Sequence, residues 1–255
     1  MFRRIAVFAY GVASYAVALA TFLYLAGFME NFGVPRSIDS ARHQPLWFAL
    51  AVNLGLLALF GIQHSVMARP GFKAMWTKIV PPAAERSTYM LFSSLALFLL
   101  FWQWQPIGGA IWNVESALGK LALYGLYAVG WVMVLLTTFL INHFDLFGLR
   151  QVWLHLMGRP YTQLRFRTPG PYKLVRHPLY LGWLMVFWST PVMTAAHLVF
   201  AVGITTYILN AIQYEERDLV QMHSEYAEYR HRVPMIMPIG TPSRSAENAL
   251  SKDCA

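Results

Sequence analysis

Four short polar clusters interrupt an otherwise apolar chain, and each carries side chains able to move a proton or hold a charge. They are Gln63, His64 and Ser65; Asn142, His143 and Asp145; Arg176 and His177; and Glu215, Glu216 and Arg217. An imidazole titrates near neutral pH, so His64 and His143 are the two candidate bases. For His64 the competing reading is a structural histidine paired with Gln63. For His143 the question is whether the loop bends Asp145 back to orient or charge the ring, which a spacing of two residues does not settle.

The densest cluster is GPYKLVRHPLYLG, Gly170 to Gly182, where Tyr172, Arg176, His177, Pro178 and Tyr180 crowd one turn. Proline at the first turn of a helix explains Pro178 but not its neighbours. A helix N-terminus offers free amides and partial positive charge to a carboxylate, and Glu215 or Glu216 can take an ammonium. An amino-acid-like ligand satisfies both. Downstream, Tyr226, Tyr229, Arg230 and Arg232 recur three to four residues apart, one face of a short helix. That face either closes over a ligand or rests on a membrane surface with its arginines reaching into water.

The elements that must position these groups are set by composition. Of 255 residues, 57% are hydrophobic and 13% charged, against about 25% charged in an ordinary soluble domain. A bilayer core of about 30 Å needs about 20 apolar residues as helix, and the stretches 5–28, 46–67, 87–104 and 118–141 meet that need or nearly so. A fifth stretch, 179–212, would reach about 51 Å as one straight helix. Pro191 breaks it after Thr190, giving a short limb and a longer one. The expectation is an all-α integral membrane protein of four transmembrane helices plus a C-terminal helical hairpin, five to six membrane segments in all. Residues 1–240 form a single domain and 241–255 a polar, disordered tail. The apolar run after Arg3 and Arg4 is too long for a signal peptide and has no small-x-small cleavage site, so it reads as a membrane helix.

Lysine and arginine concentrate in cytoplasmic loops, and the loops alternate. Arg69, Lys73, Lys78 and Arg86 stand against Glu85 in one loop; Arg150, Arg159, Arg165, Arg167, Lys173 and Arg176 stand against Asp145 in another; Arg36 and Arg42 merely balance Glu30 and Asp39. Both termini are therefore expected in the cytoplasm, with all four polar clusters at the same face. The net charge of +8 is spread over these loops and forms no single stripe, which argues against nucleic acid. Cys254 is the one cysteine, so neither a disulfide framework nor a multi-cysteine metal site is available, and no other metal-ligand constellation is apparent.

The stretch GPYKLVRHPLYLGW followed by YEERDLVQMHSEYAEYRHRVP, Gly170 to Pro234, resembles the C-terminal signature of the isoprenylcysteine carboxyl methyltransferase and phospholipid methyltransferase superfamily. Through NFGVPRSIDS, QHSVMARP, ERSTYMLFSSLALFLLFWQWQPIGG and INHFDLFGLRQVW, nearly the whole chain is similar to a narrower group, the membrane-bound methanethiol S-methyltransferases.

The resemblance implies S-adenosylmethionine as methyl donor, S-adenosylhomocysteine as product, methanethiol as acceptor and dimethyl sulfide as the volatile product. It implies a bacterial inner-membrane location with the site facing the cytoplasm, no metal, and bilayer and thiol as the partners. On the cofactor side it points to His177, Tyr180, Gly182, Glu215 and Glu216, and on the catalytic side to Arg176 and a glutamate such as Glu216; position and residue type add Tyr172, Pro178, Tyr226 and Tyr229 beside the cofactor, His64, His143 and Asp145 as proton-handling groups, and Gln63, Asn142 and Arg150 near the thiol. Two other readings remain open at this point. One is a membrane methyltransferase for a lipid amine or a prenylcysteine carboxylate. The other is an NADPH-linked membrane reductase or non-catalytic accessory protein, because sterol reductases carry a similar RHPxY turn.

Overall fold

The computed structural model describes residues 1–40, 44–164 and 166–238. Arg42, Arg165, Cys254 and the expected polar tail from Thr241 lie outside the described residues. In chain order the helices are α1 (Phe2–Met29), α2 (Leu46–Ala68), α3 (Pro70–Trp76), α4 (Glu85–Gln103), α5 (Ala117–Ile141), α6 (His143–Leu146), α7 (Leu149–Leu156), α8 (Pro178–Trp188), α9 (Ala195–Met222) and α10 (Ser224–Arg232).

Among the described residues four helices are long and apolar enough to cross a membrane: α1, α2, α5 and α9. Their outer faces carry Leu19, Leu23, Leu54, Leu59, Ile62, Val129, Val132, Leu136 and Phe139 exposed. Such a belt is unfavourable in water and suited to hydrocarbon, where a helix satisfies its own backbone hydrogen bonds. The chain is an integral membrane protein of mainly helical build.

Two features differ in detail from the sequence reading. Helix α4 is 19 residues long but is not among those four helices. It opens on the charged pair Glu85 and Arg86 and carries a polar stripe: Ser87, Thr88, Ser93 and Ser94 are buried, and α4 packs on both α1 and α2. The second feature is a small antiparallel ribbon, β1 (Ala110–Asn113) with β2 (Val192–Thr194), which pairs Trp112 with Met193 and Asn113 with Val192. It occupies the break between α8 and α9, where Pro191 interrupts the apolar run, and Trp112 Nε1 donates to the Thr190 carbonyl at 3.1 Å.

Helices α5 and α8 meet at two glycines. A Cβ on Gly182 would lie 3.0 Å from the Gly130 carbonyl oxygen, and a Cβ on Gly130 would lie 3.0 Å from that of Gly182. Small residues let backbones approach closely, the usual packing device between membrane helices. A second close approach orients the α6–α7 corner. Gly148 is left-handed (φ 87°), and a Cβ there would meet the Ser87 amide nitrogen at 2.7 Å. The aromatic core, with Phe28, Phe101, Trp104, Phe187 and Phe200 in contact, sits toward the ribbon end. The polar clusters gather at the opposite end.

Candidate active site

A cavity of about 920 Å³ opens where the ends of α2, α5 and α9 meet the starts of α4 and α8. His64, Asn142, Arg150, Tyr172, Arg176, His177, Tyr180, Glu215, Tyr226 and Tyr229 all lie on its wall. Residues from all four polar clusters thus come together. The remaining candidates, Gln63, His143, Asp145, Pro178, Gly182 and Glu216, lie off that wall, and each has a visible reason.

The glutamate pair divides first. Glu216 is 3% exposed and held by two arginines and a histidine: Arg176 Nε donates to Oε1 at 2.7 Å, His177 Nε2 lies 3.0 Å from the same oxygen, and Arg230 Nε reaches Oε2 at 3.1 Å. Arg176 also donates to the carbonyls of Arg230 (2.9 Å) and Val233 (2.6 Å). The backbone amides of Arg176 and His177 donate to the carbonyls of Pro234 (2.9 Å) and Met235 (3.0 Å). This network fastens the start of α8, the end of α9 and the segment after α10 into one unit. Glu215, one residue earlier, points the other way onto the wall. It accepts from the Tyr180 hydroxyl at 2.9 Å and has no cation within ion-pair distance among the described residues.

Helix α10 covers one side. Tyr226 is 2% exposed, and its hydroxyl has no hydrogen-bond partner. The Tyr229 hydroxyl donates to the Tyr172 carbonyl at 2.5 Å. Phe166, which sequence reasoning did not single out, lies against Tyr226 and Tyr229, with ring centroids 5.7 Å from each. Burial pushes the phenols of Tyr172 and Tyr226 above the ordinary tyrosine value and that of Tyr229 up to about 12, so all three stay neutral donors at physiological pH. Arg232 pairs with Glu228 on the exposed side of α10. Only part of the Tyr226, Tyr229, Arg230 and Arg232 face therefore turns inward.

His64 sits between two hydroxyls of α4. Nδ1 lies 3.0 Å from Ser93 Oγ and Nε2 lies 2.6 Å from Tyr89 Oη. Gln63 does not pair with it; its amide donates to Met67 Sδ at 3.1 Å and to Ser93 at 3.5 Å. Tyr89 and Ser93 were missed as individual residues. Their signal was present: hydroxyls four apart occupy one face of a helix, here in the segment ERSTYMLFSS.

His143 has the same type of bracket in a different place. Thr138 Oγ1 lies 2.8 Å from Nδ1, Tyr15 Oη lies 2.9 Å from Nε2, and Phe139 stacks on the ring at 4.2 Å between centroids. It is 7% exposed and off the cavity wall. Burial lowers its pKa, which keeps it neutral. Asp145 does not reach it. That carboxylate accepts instead from Arg150 (2.7 Å) and Tyr161 (3.2 Å), while the Asn142 side chain caps the Asp145 amide at 3.1 Å. The loop bends, but it carries Asp145 toward Arg150, which itself holds Thr162 through the carbonyl (2.9 Å) and Oγ1 (2.8 Å). Pro178 is the buried first residue of α8, and Gly182 is spent on the contact with α5.

The chain is 56% identical to a methanethiol S-methyltransferase of Crocosphaera subtropica over 92% of each chain. It is 51% identical to one of Mycobacterium tuberculosis, over 92% of this chain and 97% of the other. The chain belongs to the methanethiol S-methyltransferase family. A more distant relative is nurim of Xenopus laevis, 28% identical over 73% of this chain and 68% of its own. No family model and no solved structure matches the chain. The cavity joins the QHS, INHFD, RHPLY and YEERD segments, by which the sequence resembles the family and its superfamily, around a single space.

Proposed function

We propose that this protein transfers the methyl group of S-adenosylmethionine to methanethiol, forming dimethyl sulfide and S-adenosylhomocysteine, at the cytoplasmic face of a bacterial inner membrane. Family membership supports the methyl transfer and the thiol. The observation that carries the cofactor assignment is Glu215: a carboxylate on the cavity wall held by one neutral phenol and free of any cationic partner among the described residues. Such a group is suited to an ammonium. The buried Tyr226 hydroxyl, without a partner, supplies a second polar atom for a ligand to satisfy. A volume of about 920 Å³ lies within the usual range for ligand sites, about 300–1,000 Å³. The residues present fit the donor.

In this reading Glu215 takes the ammonium of the methionine moiety. Phe166, Tyr172, Tyr226 and Tyr229 enclose the adenosine, and the aromatic wall, with Tyr180, favours a cation. The bound donor supplies a methyl group on a sulfonium, which needs no metal for displacement. The protein contributes orientation, exclusion of water and a place for the thiol proton. His64 is the base. Glu216, Arg176 and His177 are positioning residues that hold α8, α9 and α10 in register around the cavity. His143 packs its corner, and Asp145 with Arg150 fixes the segment near Thr162.

The cytoplasmic orientation rests on the basic loops: Arg69, Lys73, Arg86, Arg150, Arg167 and Arg176 all line this cavity. We read α4 as a further membrane-crossing helix whose polar stripe faces the interior, and α8 with α9 as a hairpin whose ends meet at the Glu216 network. Residues 1–240 then act as one domain, with 170–234 as its cofactor-binding region.

The test is headspace gas chromatography of the purified, detergent-solubilised protein given methanethiol and S-adenosylmethionine. Dimethyl sulfide that requires both substrates and unboiled protein is the expected result. Absence of product with S-adenosylhomocysteine binding intact would overturn the thiol assignment and redirect the search to lipid acceptors.

A further inference from the structure

His64 has no ring nitrogen left for a substrate. Nδ1 is occupied by Ser93 and Nε2 by Tyr89, so a proton from the cavity can enter this imidazole only through one of those hydroxyls. Ser93 and Tyr89 are both buried, at 4% and 6% exposed, but only Tyr89 lies on the cavity wall. The Tyr89 ring lies 4.8 Å from that of His64 between centroids, beneath the Arg86 guanidinium at 5.0 Å. Tyr207 of α9 is on the same wall, with its ring 6.2 Å from His64. Among the described residues, Glu85 and Arg86 on α4, Tyr180 on α8, and Tyr207 and Glu215 on α9 are ionisable side chains around the pair.

We infer that Tyr89 is a catalytic residue, the group that meets the thiol, and that it passes the thiol proton to His64 in a Tyr89–His64–Ser93 relay. This rests on the proposed thiol methylation and deepens it. In the resting relay Nδ1–H donates to Ser93 and the Tyr89 hydroxyl donates to Nε2, leaving the phenolic oxygen free to accept from a thiol S–H. During transfer the S–H bond breaks, its proton goes to Tyr89 Oη, and the phenol's own proton moves to Nε2, leaving an imidazolium that later returns a proton to solvent. The thiol sulfur keeps the electron pair and forms the new C–S bond, while the sulfonium C–S bond breaks and its pair stays on the thioether that leaves. No oxidant or metal enters the balance.

The relay predicts that the need for Tyr89 falls as the acceptor becomes more acidic, because a thiol that ionises unaided has no proton to hand over. The experiment compares wild type, Tyr89→Phe and Ser93→Ala with methanethiol and with 2,2,2-trifluoroethanethiol, and measures S-adenosylhomocysteine binding by calorimetry. With methanethiol, kcat of Tyr89→Phe is expected to fall about 100-fold, within the usual span of general acid–base contributions. With the fluorinated thiol the loss should shrink to a few-fold, and binding should stay at the wild-type level. Ser93→Ala, which leaves the cavity wall intact, should lose about 10-fold with methanethiol only, and it decides the matter if Tyr89→Phe does not fold.

A full rate for Tyr89→Phe with methanethiol, or an equal loss with both thiols, overturns the relay; for Ser93→Ala, so does a full rate or an equal loss. A wild type that methylates neither thiol overturns the thiol reading itself, and the relay with it.

Discussion

Two regions of this molecule are built from the same parts and put to opposite ends. On the cavity wall stand His64, between Ser93 and Tyr89, and Glu215, held by Tyr180. Away from the wall stand His143, between Thr138 and Tyr15, and Glu216, held by Arg176, His177 and Arg230. Each histidine has two hydroxyl partners, and each glutamate is anchored by its neighbours. What differs is what remains for a ligand. Both oxygens of Glu216 are engaged with cations, and neither His143 nor its partners Thr138 and Tyr15 lie on the cavity wall. Glu215 has no cation, and one partner of His64 faces the cavity. Residue type and local pairing do not separate the two regions; access to the cavity does.

Substitutions can break that comparison, and the largest effect belongs to the buried carboxylate. Glu216→Ala leaves Arg176 and Arg230 without their counter-charge, and removing one partner of a buried ion pair costs about 3–5 kcal/mol. Thermal unfolding in detergent should show a steep loss of stability, together with loss of S-adenosylhomocysteine binding as α10 detaches. An unchanged unfolding temperature would remove Glu216 from its organising role. Next comes His64→Ala: dimethyl sulfide turnover should drop about 100-fold or more while cofactor binding persists, a separation that calorimetry alongside gas chromatography can read.

Glu215→Gln sharpens the contrast within the glutamate pair. Folding should be near wild type, and S-adenosylhomocysteine affinity should weaken about tenfold, the equivalent of about 1.4 kcal/mol. Equal binding by Glu215→Gln and wild type would move the ammonium site elsewhere.

The smallest effect is expected at His143, where His143→Phe should keep turnover within about twofold. Its consequence is in pH. Burial in the folded protein holds this imidazole below its ordinary value of 6.5, so its contribution to stability is fully present above that value and is lost as pH falls through the window beneath it. Unfolding temperatures between pH 7.5 and 5.5 should decline less in His143→Phe than in wild type. A large loss of turnover in this variant would restore His143 as a catalytic candidate.

Much of the candidate site was legible without coordinates because the membrane simplifies the problem. Apolar runs long enough to span must alternate sides, so His64, Asn142, Arg176 and Glu215 are carried to one face by counting helices. All four line one cavity. The choice between Glu215 and Glu216 was not legible. Adjacent residues on a helix project about 100° apart, and which of them meets the cavity depends on how α9 is rotated against α8 and α10. The partnership of Asp145 with His143 failed for a related reason: the turn after Asn142 sends the carboxylate to Arg150. Tyr89 was obscured because a tyrosine in an apolar helix looks like packing until its hydroxyl is placed 2.6 Å from an imidazole.

The sequence by itself determined the solvent and the inventory. Apolar content and span length made this a membrane protein, and the order of spans with the basic loops between them brought its polar clusters to one end. Those properties depend on chain length and transfer free energy, which are additive along the chain. The tertiary structure alone decided which member of each pair faces the cavity, because rotation of a helix, a glycine contact between α5 and α8 and the packing of α10 against Tyr172 are set between segments far apart in the chain.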